Sequence, residues 1–209
     1  MIAIIDYGAG NLTSVKLAFD SLKTDSLITS SPADIISAER VVFPGVGAIG
    51  SAMQKLNDLK LVPVIRETVK NGIPFLGICL GTQIILEESE EDGGVKGIGL
   101  IKGRVRRFVP ENQWDKIPQI GWNGIRIVRK HPVFSGIEDS SEFYFVHSYY
   151  PAPDSEKDVL ATTGYAGVQF ASVITSNNIV ATQFHPEKSG RIGLKLLENF
   201  LSWDGKTAC

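Results

Sequence analysis

The 209-residue chain has little cysteine, no long apolar run and no excess of either charge. Its two cysteines are Cys79 in mid-chain and Cys209 at the last position. They do not form the framework of a disulfide scaffold; no bridge between them is expected, and a reducing compartment fits best. No apolar run reaches the roughly 20 residues that a membrane-spanning helix needs. Met1-Ile2-Ala3-Ile4-Ile5-Asp6 lacks the basic start of a secretory signal and reads as a first strand. Lys and Arg together number 21 against 23 Asp and Glu, so the net charge of −2 points to neither a nucleic-acid nor a membrane surface. No Cys/His spacing suits zinc, and no metal is expected. Gly8-Ala9-Gly10 follows the first strand, but position 13 is Thr13 where a dinucleotide fingerprint needs glycine, and the P-loop pattern is missing. No cofactor is expected. With 43% hydrophobic residues the chain can bury a full core without staples. The expectation is a soluble, cytoplasmic, single-domain protein over 1–209.

The first half alternates short apolar runs with amphipathic segments. Met1–Asp6 is of strand length. Asn11 can cap a helix whose apolar positions Leu12, Val15, Phe19 and Leu22 share one face. Ser26–Thr29 and Val41–Phe43 are further runs, the latter broken by Pro44-Gly45-Val46-Gly47. Helices are predicted over Ile49–Leu59 and Val62–Asn71, the second stopped by Gly72. Pro74–Ile78 is a buried-looking run, and Leu80–Glu88 reads as a helix directly after it. This β-then-α rhythm predicts a parallel sheet covered by helices on both faces. In the second half Val105–Val109, Gly124–Val128, Glu142–Val146, Val168–Ile174 and Ile179–Phe184 read as strands with little helix between them. They predict antiparallel additions, making an open mixed sheet. A last helix is predicted from Ser189, as N-cap, to Trp203, with Ile192, Leu196, Phe200 and Trp203 as its apolar stripe.

The most informative stretch is Phe75-Leu76-Gly77-Ile78-Cys79-Leu80-Gly81-Thr82-Gln83. A G-x-C-x-G pattern between a strand and a helix is the thiol counterpart of the G-x-S-x-G nucleophile elbow. A nucleophile on so tight a turn takes a strained backbone conformation, and its neighbours at ±2 must be small. Gly77 and Gly81 meet that demand. The turn would lift the sulfur out at the carboxyl end of the sheet, where open α/β folds bind ligands. The helix that follows would favour the thiolate. The free N–H of Leu80 would lie where an oxyanion forms. The bland alternative is a small buried cysteine.

A thiol nucleophile usually works with a histidine, and there are three. His131 precedes Pro132 and reads as a surface turn. His147 ends the Phe143–Val146 run and reads as a packed histidine with a satisfied hydrogen bond. His185 follows a strand and opens His185-Pro186-Glu187. If that strand runs parallel to the one carrying Cys79, His185 lies at the same sheet edge. Glu187 could then turn back to accept the second imidazole N–H. The alternative is that His-Pro-Glu merely starts the last helix, with Glu187 favourable near its N-terminus.

Gly77-Ile78-Cys79-Leu80-Gly81-Thr82-Gln83 with the distant His185-Pro186-Glu187 resembles the class I, Cys-His-Glu glutamine amidotransferases. Asp6-Tyr7-Gly8-Ala9-Gly10-Asn11, Pro44-Gly45-Val46-Gly47, Ile120-Gly121-Trp122-Asn123, Phe145-Val146-His147-Ser148-Tyr149 and His185-Pro186-Glu187-Lys188-Ser189 narrow the resemblance to that class's glutaminase subunits of imidazole glycerol phosphate synthase. The match runs the length of the chain, in order. It implies a flavodoxin-like fold, and an attack by Cys79 on the side-chain amide of glutamine. His185 would carry the proton and Glu187 would orient it. The Gly45, Val46 and Gly47 turn and Leu80 would supply oxyanion donors; in this family that turn is often misaligned until the partner binds. Gln83, Glu91, Ser148 and Tyr149 would hold the substrate's amino-acid end. Asn11, Tyr144 and Lys188 match positions that face the partner or gate ammonia. That partner would be a (β/α)8-barrel cyclase, forming a heterodimer that makes imidazole glycerol phosphate and AICAR in histidine biosynthesis.

Two positions depart from the family pattern. Gln119 stands where His is common, and Thr82 replaces a frequent Met of the elbow helix; neither falls on a catalytic role. Lys102, Arg104, Arg106 and Arg107 read as a solvated strand face, and Glu87–Asp92 as a helix end running into solvent. The rival functions are a sister subunit feeding another synthase, for instance in surface-sugar biosynthesis, a non-catalytic regulatory subunit, and a Cys peptidase of the same superfold.

Overall fold

The computed structural model describes residues 1–206, so Cys209 lies outside the described residues. The first half runs β1 (Ile2–Ile5), α1 (Leu12–Ser21), β2 (Ser26–Thr29), α2 (Pro32–Ser37), β3 (Arg40–Gly45), α3 (Ile49–Asp58), α4 (Leu61–Lys70), β4 (Phe75–Cys79) and α5 (Leu80–Ile84). The second half contains β5 (Glu88–Ser89), β6 (Val95–Lys96), β7 (Gly103–Arg107), β8 (Gln119–Gly124), β9 (Arg126–Ile127), β10 (Glu142–His147) and β11 (Tyr149–Pro153). It continues with β12 (Val159–Tyr165), β13 (Val168–Ser176), β14 (Ile179–Thr182) and α6 (Gly190–Ser202).

The main sheet has the order β2-β1-β3-β4-β14-β13-β12-β9. β1, β2, β3, β4 and β14 pair in parallel, and β13, β12 and β9 continue antiparallel, the mixed sheet expected from the sequence. A β10–β8 ribbon and a four-stranded sheet, β11-β7-β5-β6, pack beside it. β1 shows why the central parallel strands are largely apolar. Ile2 and Ile4 enter one core cluster, with Leu196 and Phe200 of α6. Ala3 and Ile5 enter the other, with Leu56 of α3 and Ile65 of α4. A strand covered on both faces needs apolar residues at every position. α4 ends as foreseen, with Gly72 at φ +76° just beyond its C-cap. Among the described residues no helix is long and apolar enough to cross a membrane.

Several expectations are corrected. α2 was not foreseen; its signals are Pro32 at the first turn and Ser31, whose Oγ accepts from the Asp34 N–H at 3.4 Å. α5 stops at Ile84 rather than Glu88. The carbonyls of Ile84, Ile85 and Leu86 accept from Ile98, Leu100 and Gly99, so tertiary bonds replace the next helical turn. The acidic run is not a frayed helix: Glu88 pairs with Lys96 and Arg104 across β5, and its carboxylate lies 3.3 Å from Arg104. Asn11 and Ser189 precede their helices, but neither side chain caps one. His131 is buried, not a surface residue: its Nδ1 accepts from the Val133 N–H, and its ring meets the indole of Trp203 edge-on at 4.9 Å.

Candidate active site

Cys79 closes β4 in the middle of the main sheet, between β3 and β14. Its backbone stands at φ 55° and ψ −108°, outside the regions a non-glycine residue prefers. Holding a residue there costs about 1–3 kcal/mol. The glycines at ±2 are needed for identifiable contacts. A methyl on Gly77 would lie 2.9 Å from Ala181 Cβ and 3.3 Å from the Gly81 carbonyl carbon across the turn. A methyl on Gly81 would collide with the Phe43 carbonyl of β3. The expected elbow is therefore present. Its helix has only five residues, so it supplies less of an axial dipole than the longer helix expected from the sequence.

β14 runs parallel to β4, with Thr182 level with Ile78, so the chain leaves β14 at the same edge as the thiol. Three residues on, His185 is fixed by its main chain. Its N–H donates to the Tyr144 carbonyl at 2.9 Å, and its carbonyl accepts from Ser189 Oγ at 2.6 Å. Ser189 thus serves the histidine rather than the following helix, while accepting from the Tyr144 N–H at 3.0 Å. The His185 ring turns its Nδ1 to Glu187 Oε1 at 2.7 Å, with both side chains buried. Asn11 Nδ2 donates to the same oxygen at 2.7 Å, linking residues 176 positions apart. Asn11, expected at a partner face or gate, is therefore bonded to the histidine's carboxylate. Lys188 is exposed on the same turn, and Tyr144 is half-buried, with its ring edge-on to Trp122 at 6.1 Å.

His185 and Cys79 line the same cavity. Among the described residues, the buried Nε2 meets no partner at ordinary hydrogen-bond geometry, the sulfur included. Such bonds are often long before substrate binds and tighten in the complex. Burial alone would push the imidazole pKa down. The adjacent Cys79 and then Glu187 outweigh burial and raise it to about 10. The sulfur sits 3.8 Å from Gln183 Nε2, which donates to it, and 3.9 Å from the Val146 carbonyl.

The cavity measures about 310 Å³, at the low end of the roughly 300–1,000 Å³ typical of small-molecule sites. Val46, Gly47, Leu80, Gln83, Glu91, Ser148 and Tyr149 all line it with Cys79 and His185. Gly45 does not; it lies behind, wedged between the Tyr7 hydroxyl and Leu80. Gln83 already donates both amide hydrogens, to the Tyr149 carbonyl and to Gln183 Oε1, each at 2.9 Å. Only its oxygen is left for a ligand. One Glu91 oxygen accepts from the Ile49 N–H at 2.7 Å, at the start of α3. Gln119, the family departure, is fully buried and donates to Asn123 Oδ1 at 2.8 Å.

Sequence reasoning missed three groups here. Pro118 and Val146 line the cavity. Gln183, wholly buried, bridges Gln83 and the sulfur, and its position two residues before His185 was the available signal. His147 also lines the cavity while donating from Nδ1 to the Tyr149 carbonyl at 2.7 Å, the hydrogen bond expected of a packed histidine, but its buried Nε2 has no partner among the described residues. Burial chiefly, and nearby His185, lower its pKa to about 4 despite that bond, so it is neutral near pH 7.

The glutamine amidotransferase class-I family model matches residues 3–203. The chain is 49% identical over 201 residues to a Methanocaldococcus jannaschii protein named imidazole glycerol phosphate synthase subunit HisH. It is 51% identical over 201 residues to the protein of the same name from Methanothermobacter thermautotrophicus. Each match covers 96% of this chain and 98% of the relative. A crystal structure of a glutamine amidotransferase superposes with a TM-score of 0.75 at 16% identity, covering 98% of this chain and 100% of its own. A glutamine amidotransferase from Thermotoga maritima gives 0.64 at 18%, covering 96% and 82%; these two show likeness of fold.

Proposed function

The chain belongs to the class-I glutamine amidotransferases, and within that family we propose that it is the glutaminase subunit of an imidazole glycerol phosphate synthase. It hydrolyses L-glutamine to glutamate and ammonia for histidine biosynthesis. The whole of 1–209 serves as one amidotransferase domain, in the reducing cytoplasm where the Cys79 thiol stays free. The observation that carries the reading is the buried His185–Glu187 pair at 2.7 Å, facing the elbow thiol across one cavity.

The chemistry follows from that arrangement. Cys79 loses its proton to His185 Nε2, and the sulfur attacks the side-chain amide carbon of glutamine. The backbone N–H of Leu80, with one from the Val46–Gly47 turn, stabilises the oxyanion. His185 returns the proton to the departing nitrogen; the C–N bond breaks, ammonia leaves, and a γ-glutamyl thioester remains. Water, deprotonated by His185, adds to the thioester carbon; the C–S bond breaks, and glutamate is released with the thiol restored. Glu187 holds the imidazole with Nδ1–H toward itself and Nε2 toward sulfur. The Glu91 carboxylate faces the substrate ammonium, while Gln83, Ser148 and Tyr149 position its amino-acid end.

The ammonia acceptor is a (β/α)8-barrel cyclase, docked in a heterodimer over the face that carries Lys188, Tyr144 and Trp122. Trp122 and its neighbour Ile120 expose 51% and 62% of their surface on β8, an apolar patch suited to a partner. Free ammonia is mostly protonated at neutral pH, so transfer through a docked interior preserves the reactive form. The test is glutamate release from glutamine by the chain alone and with a cyclase subunit from the same source. The reading expects slow hydrolysis alone and an increase of about 10²–10³-fold with cyclase and its nucleotide ligand, the effect of aligning one oxyanion donor. Full activity in isolation would remove the gating, and no activity in either state would remove the function.

A further inference from the structure

We infer that the Tyr7 hydroxyl positions the oxyanion side of the site, by donating to a carbonyl of the Gly45–Gly47 turn when that turn presents a peptide N–H to the substrate. The inference rests on the glutaminase reading above. Tyr7 follows β1, is 3% exposed, and packs its ring edge-on against Phe43 of β3 at 5.6 Å. Its hydroxyl has no hydrogen-bond partner among the described residues. A buried hydroxyl left unpaired is unfavourable, because it has given up its bonds to water without replacement. Burial, and then the nearby Cys79, keep the phenol well above its ordinary pKa, so it remains a neutral O–H donor.

What this hydroxyl faces is the turn itself. A methyl on Gly45 would collide with it, and would lie 3.0 Å from Leu80 Cβ of the elbow helix. Beside the turn is a second cavity of about 100 Å³, lined by Tyr7, Gly10, Val46, Gly47 and Lys55. The Lys55 ammonium is already engaged with the Gly8 carbonyl at 3.0 Å. Gly45 carries no side chain and Gly47 sits at φ +96°, so the peptide planes on either side of Val46 can rotate without a Cβ clash on their outer residues.

A trans peptide holds its N–H and C=O on opposite sides of the plane. Rotating the N–H of Val46 or Gly47 toward the Cys79 cavity carries the carbonyl of the same plane toward the cavity beside Tyr7. A carbonyl buried there needs a donor. The unpartnered Tyr7 hydroxyl supplies it, and the bond forms only when the oxyanion donor is aligned. It therefore acts on the transition state and not on ground-state binding.

The test compares native and Tyr7→Phe chains, alone and with a cyclase subunit, with Cys79→Ala as background. The readouts are kcat and KM for glutamine hydrolysis, melting temperature, and affinity for the γ-aldehyde of glutamate. That aldehyde adds the Cys79 thiol to give a tetrahedral hemithioacetal. Loss of the hydroxyl should lower kcat at least about tenfold and weaken the aldehyde by a similar factor, with KM within about twofold. The melting temperature should not fall. Unchanged kcat and aldehyde affinity, or a loss confined to KM or to melting temperature, would overturn the inference and leave the glutaminase reading intact. A native chain that released no glutamate in either state would instead remove that reading, and this inference with it.

Discussion

The two sides of the cavity are held to different tolerances. On the histidine side the connections are short and at least partly buried: Nδ1 to Glu187 at 2.7 Å, Asn11 to the same carboxylate at 2.7 Å, and Ser189 to the His185 carbonyl at 2.6 Å. On the oxyanion side stand two glycines, a small cavity and a hydroxyl with no partner. The His185–Glu187 pair proposed for proton transfer is held in place by its neighbours, whereas the turn proposed to stabilise the tetrahedral intermediate lies beside a small cavity. A subunit that should release ammonia only to a waiting acceptor gains by this division. On the proposed reading, a docked partner would control the rate by shifting one turn, without disturbing the buried ion pair.

The largest loss is expected at the sulfur. Cys79→Ser should preserve the fold and the complex with the cyclase, and reduce glutamine-dependent synthesis to background. Ammonia-dependent synthesis by the same complex should continue at the native rate. Persistent glutaminase activity in this variant would show that another group attacks.

A smaller loss is expected on the tightly held side. Glu187→Gln should lower kcat by roughly 10²–10⁴-fold, because the amide cannot stabilise the imidazolium that forms at His185. Asn11→Ala removes one charge-assisted hydrogen bond, and the loss in kcat should be about tenfold. If Asn11→Ala changed only affinity for the cyclase, its bond to Glu187 would be incidental to catalysis.

The smallest effect is on stability against pH. His185 has its pKa raised from 6.5 to about 10 in the folded chain, so its contribution is complete below about pH 6.5 and is lost as pH rises toward 10. His147 and His131 run the other way. Burial first, then neighbouring positive charge, lower His131 to about 4; His147 is lowered to about 4 as well. Below pH 6.5 the unfolded chain therefore takes up protons that the folded chain refuses, and stability falls toward pH 4. The urea midpoint should pass through a maximum near pH 6.5. His131→Asn should flatten the acid limb without touching the alkaline one; an unaltered acid limb would contradict the assignment for His131.

Where the chain forms buried parallel strands, its elements were legible, because uninterrupted apolar runs such as Ile2–Ile5 and Phe75–Ile78 have one physical use. β8, β11 and β12 were missed. β8 carries Gly121 and Gly124 and exposes Ile120 and Trp122. β11 carries Pro151 and Pro153, which ordinarily demote a strand, and β12 contains Thr162-Thr163-Gly164, which reads as a turn. Two-residue strands such as β5 and β6 exist only through their partners. In the site, the Cys79 elbow and His185-Pro186-Glu187 were legible as local patterns with a chemical reason for their spacing. The hydrogen bond from Asn11 to Glu187, the bridge through Gln183 and the placement of Tyr7 against Gly45 were not. Each is a contact between distant segments, created by strand order rather than by any local pattern.

If Cys79 is the nucleophile of a glutamine site, a diazoketone analogue of glutamine should alkylate it, and peptide mass spectrometry maps the adduct. One adduct is expected, on the peptide containing Cys79, suppressed by excess glutamine and lost in His185→Ala. Labelling of Cys209 instead, or labelling of Cys79 that glutamine does not suppress, would contradict it.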